Sequence, residues 1–120
     1  MSTANDALRN SIADDLVTNF DLLEVLDGSS NTLVTYTISW NAASAGNTGV
    51  SGLPMVEPAA NGGDAATARL YDSGGSGKEL SGLNVAQSGG DVTIDNTSIT
   101  AGQDVELQSL DFTIPTDLVA

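Results

Sequence analysis

From Asp21 onward the hydrophobic pattern of this chain runs with a period of two, and that spacing decides most of what the chain can become. Residues 31–40 show it best: Val34, Tyr36, Ile38 and Trp40 alternate with Thr35, Thr37 and Ser39. Successive side chains on a strand point to opposite faces. The alternation therefore predicts a half-buried antiparallel strand with a Thr-rich face turned to water or to a partner. The apolar runs that follow are short, and each is stopped by Gly, Asn or Asp. Such punctuation predicts further strands joined by turns.

Residues 22–26 form a first strand, closed by Asp27-Gly28-Ser29-Ser30, and so short a turn makes a hairpin with residues 31–40. Residues 65–71 set Ala66, Ala68 and Leu70 on one face and Thr67, Arg69 and Tyr71 on the other. The Gly-rich run 72–78 turns the chain. Residues 80–86 are a weaker strand, where Gly82 predicts a bulge or an edge position. Val92 and Ile94 mark another strand and Ile99 a shorter one. In the last strand, residues 104–114, Val105 and Leu107 share one parity, while Leu110, Phe112 and Ile114 share the other. A strand changes faces only through an extra residue or a bend, so a β-bulge or a change of sheet is expected at residues 108–110. Pro115 brings no N–H and is expected to end the pairing.

Residues 1–20 read differently. A helix is predicted over residues 3–19, with Thr3 and Asp6 as a capping box that uses Asp in place of Glu. Ala4, Leu8, Ile12, Leu16 and Phe20 recur at every fourth position, with Val17 beside them. The resulting stripe packs on the chain's own sheet or docks on another subunit. Residues 41–63 break the strand rhythm with Asn, Ala, Ser, Gly and Pro, around an apolar centre of Leu53, Pro54, Met55 and Val56. A loop this long is often functional. It tucks back as a plug or an extra edge strand, or it is a contact arm that orders on a partner. The expected fold is mainly β. It is a small antiparallel β-sandwich or barrel of roughly six or seven strands, built on residues 21–120 as one domain with the N-terminal α-helix.

Composition narrows function. The chain has no Cys and no His, which removes thiolate chemistry, the usual zinc ligands and the commonest general base. Arg9, Arg69 and Lys78 stand against 16 carboxylates, for a formal net charge of −13. That charge opposes binding to nucleic acid or to an anionic membrane surface, and favours a partner that is basic, neutral or apolar. The first residues carry neither an apolar nor a basic signal region, so no secretion leader is expected, and no apolar run is long enough to span a bilayer.

Individual motifs have ordinary explanations. The run from Asp72 to Lys78 resembles a phosphate-binding loop only in its glycines. Asp72 stands where that pattern needs Gly, and Glu79 where it needs Ser or Thr. Calcium is the one metal the composition permits, with Asp91, Asp95 and Asn96, or Asp14, Asp15 and Asp21, converging at a turn. Solvated acids are the plainer reading, and no cofactor is expected. Glycoside hydrolysis would need sugar-stacking aromatics in a cleft, and aromatic residues are only 4% of the chain. Asn96-Thr97-Ser98 matches a glycosylation sequon but reads as a turn.

Taken together, LLEVLDG, NTLVTYTIS, AATARLYDS and the closing GGDVTIDNTSITAGQDVELQSLDFTIP resemble a set of small virion structural proteins of tailed bacteriophages. The resemblance covers most of the chain but not residues 41–63. It implies a non-enzymatic capsid decoration or cement protein. Such a protein is made in the host cytoplasm and assembled on the capsid exterior as a homo-oligomer such as a trimer, with the major capsid protein as partner. A tail- or fibre-associated adaptor and a surface-binding adhesin module are the alternatives. The residues expected to touch a partner are Leu53, Pro54, Met55 and Val56 in the long loop, since exposed apolar clusters mark interaction sites, and Leu8, Ile12 and Leu16 on the helix stripe.

Overall fold

The computed structural model describes the backbone of residues 3–114, and the side chains of that range apart from residues 16–19 and 112. Among the described residues one helix, α1 (Asp6–Asn19), precedes nine strands. They are β1 (Leu22–Asp27), β2 (Thr32–Thr37), β3 (Asn47–Gly49), β4 (Met55–Pro58), β5 (Gly63–Tyr71), β6 (Glu79–Ala86), β7 (Val92–Ile94), β8 (Ser98–Ile99) and β9 (Asp104–Thr113). The sheet runs in the order β2-β1-β5-β6-β7-β9-β3, with β4 also on β9 and β8 on β5. It curls into a half-barrel and is mostly antiparallel, the exception being the short parallel pairing of β6 with β7. The two strands beyond the expected number, β3 and β4, both lie in residues 41–63. That segment is an edge of the sheet rather than a structureless loop.

The period-two pattern explains the core. Val34, Tyr36 and Ile38 are buried while Thr35, Thr37 and Ser39 are exposed. Leu23, Val25, Ala68, Leu70, Val92, Ile94, Val105, Leu107 and Leu110 fill the same interior. Tyr36 is fully buried, and its hydroxyl donates to the Val105 carbonyl at 2.7 Å. This bond joins β2 to β9 across the curl. Burial, with Asp95, Glu57 and Glu106 nearby, pushes the phenol well above its ordinary range, so it stays a donor. Chain beyond β2 laces the open side of the curl. Ser51 N donates to Ser39 O and Asn41 N to Gly49 O, each at 2.9 Å, and Ala60 N donates to Leu33 O at 2.8 Å.

Two predicted irregularities are present. Against β5, Ala68 faces Leu83 and Leu70 faces Leu80, so β6 carries an extra residue there. Gly82 sits at φ 75°, the left-handed conformation that suits glycine in a bulge. Against β7, Thr93 faces Ser109 and Ile94 faces Leu107, leaving Gln108 as the extra residue of β9. Leu107 and Leu110 are buried on either side of it, and Gln108 is exposed. Pro115 lies outside the described residues, as does the Phe112 side chain.

The helix departs from expectation. Its N-cap is Asn5, not Thr3, with Asn5 Oδ1 accepting from Leu8 N at 3.0 Å. Among the described residues the buried positions are Ala4, Ala13 and Phe20, while Leu8 is 49% exposed and Ile12 half-buried. The every-fourth-residue stripe does not rest as a whole on the sheet, because α1 is fastened by hydrogen bonds from its Arg9, Asn10 and Asp14 side, set around Ala13.

On the outer face of β1 and β5, Glu24 is 8% exposed and holds Arg69 through both Nε, at 2.8 Å, and Nη2. Thr32 Oγ1 donates to the other carboxylate oxygen at 2.6 Å. Arg69 also reaches Glu79 at 3.2 Å and lies 4.8 Å from the Tyr71 ring centroid. Glu24 is buried while Arg69 is 37% exposed, so the pair returns little net stability, but removing Arg69 strands the buried Glu24 charge. Arg69→Met is expected to lower unfolding free energy by about 3 kcal/mol, and Arg69→Met with Glu24→Gln to recover most of it. Urea titration of the three proteins checks this; equal stability of single and double variants would refute it.

Turns are held by carboxylates. Asp21 is held below its ordinary value of 3.8 by Ser73, Asp27 by Asn31 and then Ser29, and Asp72 by Ser76 and then Gly74. Folded values below the unfolded one mean that this stabilisation is complete above about pH 3.8 and is lost as pH falls through the folded values. Thermal melts followed by circular dichroism should show a smaller loss of melting temperature between about pH 4 and pH 2 in Asp27→Asn than in wild type. Identical slopes would exclude a role for Asp27 in acid sensitivity.

Candidate functional site

β9 offers one edge to two strands. β4 pairs with its first half, Met55 facing Leu107 and Pro58 facing Asp104. β3 pairs with its end, Asn47 facing Thr113 and Gly49 facing Asp111. Between them Val50 N donates to Leu110 O at 3.0 Å. The bulge at Gln108 makes this sharing possible, since it turns the strand before β3 begins.

α1 is fastened to the β3 end of this edge by polar contacts. Arg9 Nε donates to Ile114 O and Asn10 Oδ1 accepts from Gly46 N, both at 2.8 Å. Asp14 Oδ1 accepts from Ala43 N at 3.2 Å, and Ile114 N donates to Gly46 O at 2.8 Å. Helix, β3, β4 and β9 thus form one flank.

Beside β3 lies a hollow of about 450 Å³, lined by Asn41, Ala42, Ser44, Asn47, Thr48, Gly49, Asp111 and Thr113. Its framework is hydrogen-bonded: Thr113 Oγ1 donates to Asn47 Oδ1 at 2.6 Å, and Thr48 Oγ1 to the Asn41 carbonyl at 2.7 Å. The Asp111 carboxylate lies directly over Gly49, where a Cβ would overlap its Oδ1. Among the described residues that carboxylate has no ion-pair or hydrogen-bond partner. A second hollow, of about 280 Å³, is lined by Leu26, Ser30, Thr32, Arg69, Glu79 and Ser81, and belongs to the ion pair already described.

The residues expected to meet a partner divide. Leu53 and Met55 pack against the core, whereas Pro54 is exposed and Val56 is 50% exposed. Leu8 is open to solvent, Ile12 is half-buried, and the Leu16 side chain lies outside the described residues. α1 is fastened at the β3 end of the β9 edge, and Met55 and Val56 pair with the other half of that strand. Sequence reasoning missed Asp111, Asn41 and Asn47, because only the β3–β9 register brings them together. Gly49, a glycine inside a strand, is the one sequence signal of a close approach at that point.

Of the turn acids, Asp91 accepts from Asn84 N of β6 at 2.9 Å and Asp95 from Glu106 N of β9 at 3.0 Å, so each ties its turn to a neighbouring strand. Among the described residues no three carboxylates gather as a metal site. No described helix is long and apolar enough to cross a membrane. No protein-family model, curated protein or solved structure matches the chain.

Gly49→Ala is expected to cost less than about 1 kcal/mol, because the added Cβ meets only the end of the exposed Asp111 side chain, which can swing aside, and Gly49→Ala with Asp111→Ala to cost less still. Chemical denaturation measures both. Additive losses would mean that the overlap is not the cause.

Proposed function

We propose that this chain is a non-enzymatic virion structural protein of a tailed bacteriophage, a decoration or cement subunit bound to the outer surface of the capsid. The observation that carries the reading is the β9 edge, which holds α1 through residues 43–46 and 114 at its β3 end and carries β4, with Met55 and Val56 of the expected contact, on its other half. Leu8 on α1 and Val56 on β4 are exposed apolar side chains, and the Thr-, Asn- and Ser-rich surroundings suit a wet subunit interface. The resemblance of residues 89–115 to phage virion proteins supplies the kind of particle. A net charge of −13 favours a place on the outside of the shell, away from packaged DNA. The partner is then the major capsid protein, and the subunits gather as homo-oligomers on its lattice.

Purified protein mixed with capsids of the encoding phage, assembled without it, should bind saturably and raise their heat resistance. Leu8→Asp and Val56→Asp should each weaken binding about tenfold or more while the free protein keeps its melting temperature within roughly 2 °C. Capsids that neither bind the protein nor gain heat resistance would refute the reading; binding confined to tails would replace it with a tail-adaptor role.

A further inference from the structure

We infer that the hollow beside β3 is a socket for a basic side chain, lysine or arginine, presented by a partner protein; only the naming of the major capsid protein as that partner rests on the function proposed above. The argument starts from charge. Of the three basic residues, Arg9 is paired with Asp6 and Arg69 with Glu24 and Glu79, so the chain spends its guanidinium groups on its own fold. Asp111 is left without a partner among the described residues, yet it is placed by structure: strand pairing fixes its backbone opposite Gly49, and the missing Cβ of Gly49 makes room for the carboxylate.

The lining adds acceptors around that charge. Asn47 Oδ1 faces Thr113, Thr48 is buried under the Asn41 carbonyl, and Ser44 and the Asn41 amide complete the rim. An ammonium needs three acceptors, and a guanidinium needs a carboxylate with coplanar oxygens beside it. The hollow provides the carboxylate and neutral oxygens, and its volume of about 450 Å³ accommodates a long side chain. None of the lining residues is aromatic, so a sugar would have no ring to stack on. The strong acidity of the whole chain adds long-range attraction for a cation and repels an anionic ligand.

The test uses the intact ¹⁵N-labelled protein and small probes. Nα-acetyl-arginine amide and Nα-acetyl-lysine amide are titrated in turn, with Nα-acetyl-glutamine amide and D-glucose as neutral comparisons at equal ionic strength. A basic probe should give saturable amide shifts centred on residues 41–49 and 111–113. These should weaken at least fivefold in Asp111→Asn and fade as NaCl is raised, because the screening length shortens. Shifts that do not saturate, that spread over the acidic surface, that appear equally with the glutamine or glucose probe, or that persist in Asp111→Asn would overturn the inference. Asp111→Asn keeps the shape of the side chain, and an unchanged spectrum elsewhere confirms its fold. The capsid-binding experiment separates the two claims. Wild-type protein that takes the basic probe but ignores capsids leaves the socket standing and removes the capsid as its partner. Capsid binding with no response to any basic probe removes the socket and leaves the capsid reading intact.

Discussion

The architecture depends on one extra residue in β9. That strand must feed buried side chains into the interior along its length while carrying β7 on one edge and two successive strands on the other. A regular strand of the same sequence would bury either Val105 and Leu107 or Leu110, not all three. Letting Gln108 bulge outward restores the apolar parity and bends the strand. The bend is what frees the end of β9 to receive β3, and β3 in turn carries the contacts that fasten the helix. The packing of α1 is therefore a downstream consequence of a register shift made nearly a hundred residues later in the chain. The Tyr36 hydroxyl, bound to Val105 O, fixes the opposite wall of the curl to the same strand.

Much of this was legible from residue order, and the parts that were not have physical reasons. The alternation of Val34, Tyr36 and Ile38 and the parity break after Leu107 are local patterns, and both appear as read. Gly82 announced its bulge through its own conformational freedom. An extra edge strand was one of the readings of residues 41–63, but β3 and β4 are three and four residues long, too short to display a period that would place them. Met55 was expected outside and is half-buried against the core, since pairing with Leu107 sets its face. The helix stripe misled for a different reason. Arg9, Asn10 and Asp14 find backbone partners that only the folded loop presents, and those bonds, not the apolar count, set the helix's rotation. Asp111 and its neighbours come from residues 41–49 and 111–113, and no one-dimensional spacing marks such a group.

Charge is distributed with the same dependence on register. Glu24 and Arg69 meet because they are cross-strand partners in β1 and β5, and Thr32 from β2 completes the cluster. A pair so placed gives specificity to strand pairing, since a one-residue slip would strand Glu24 among uncharged neighbours. Three further acids, Asp27, Asp72 and Asp91, are used singly to hold turns. At these turns the fold uses part of a self-repelling composition as short-range anchors, satisfied by backbone N–H groups rather than by cations.

The glycine-rich turn between β5 and β6 ends in Lys78, the single lysine of the chain and an exposed one. Every other cationic side chain is an arginine held in an ion pair. Among side chains, reagents that attack amines, whether dyes, surface-coupling chemistries or cross-linkers, therefore meet one lysine, Lys78. That lysine lies on a hairpin outside the β3, β4 and β9 edge. A label or tether placed there orients every copy alike and leaves the flank free, a handle that the sparse basic composition supplies without any substitution.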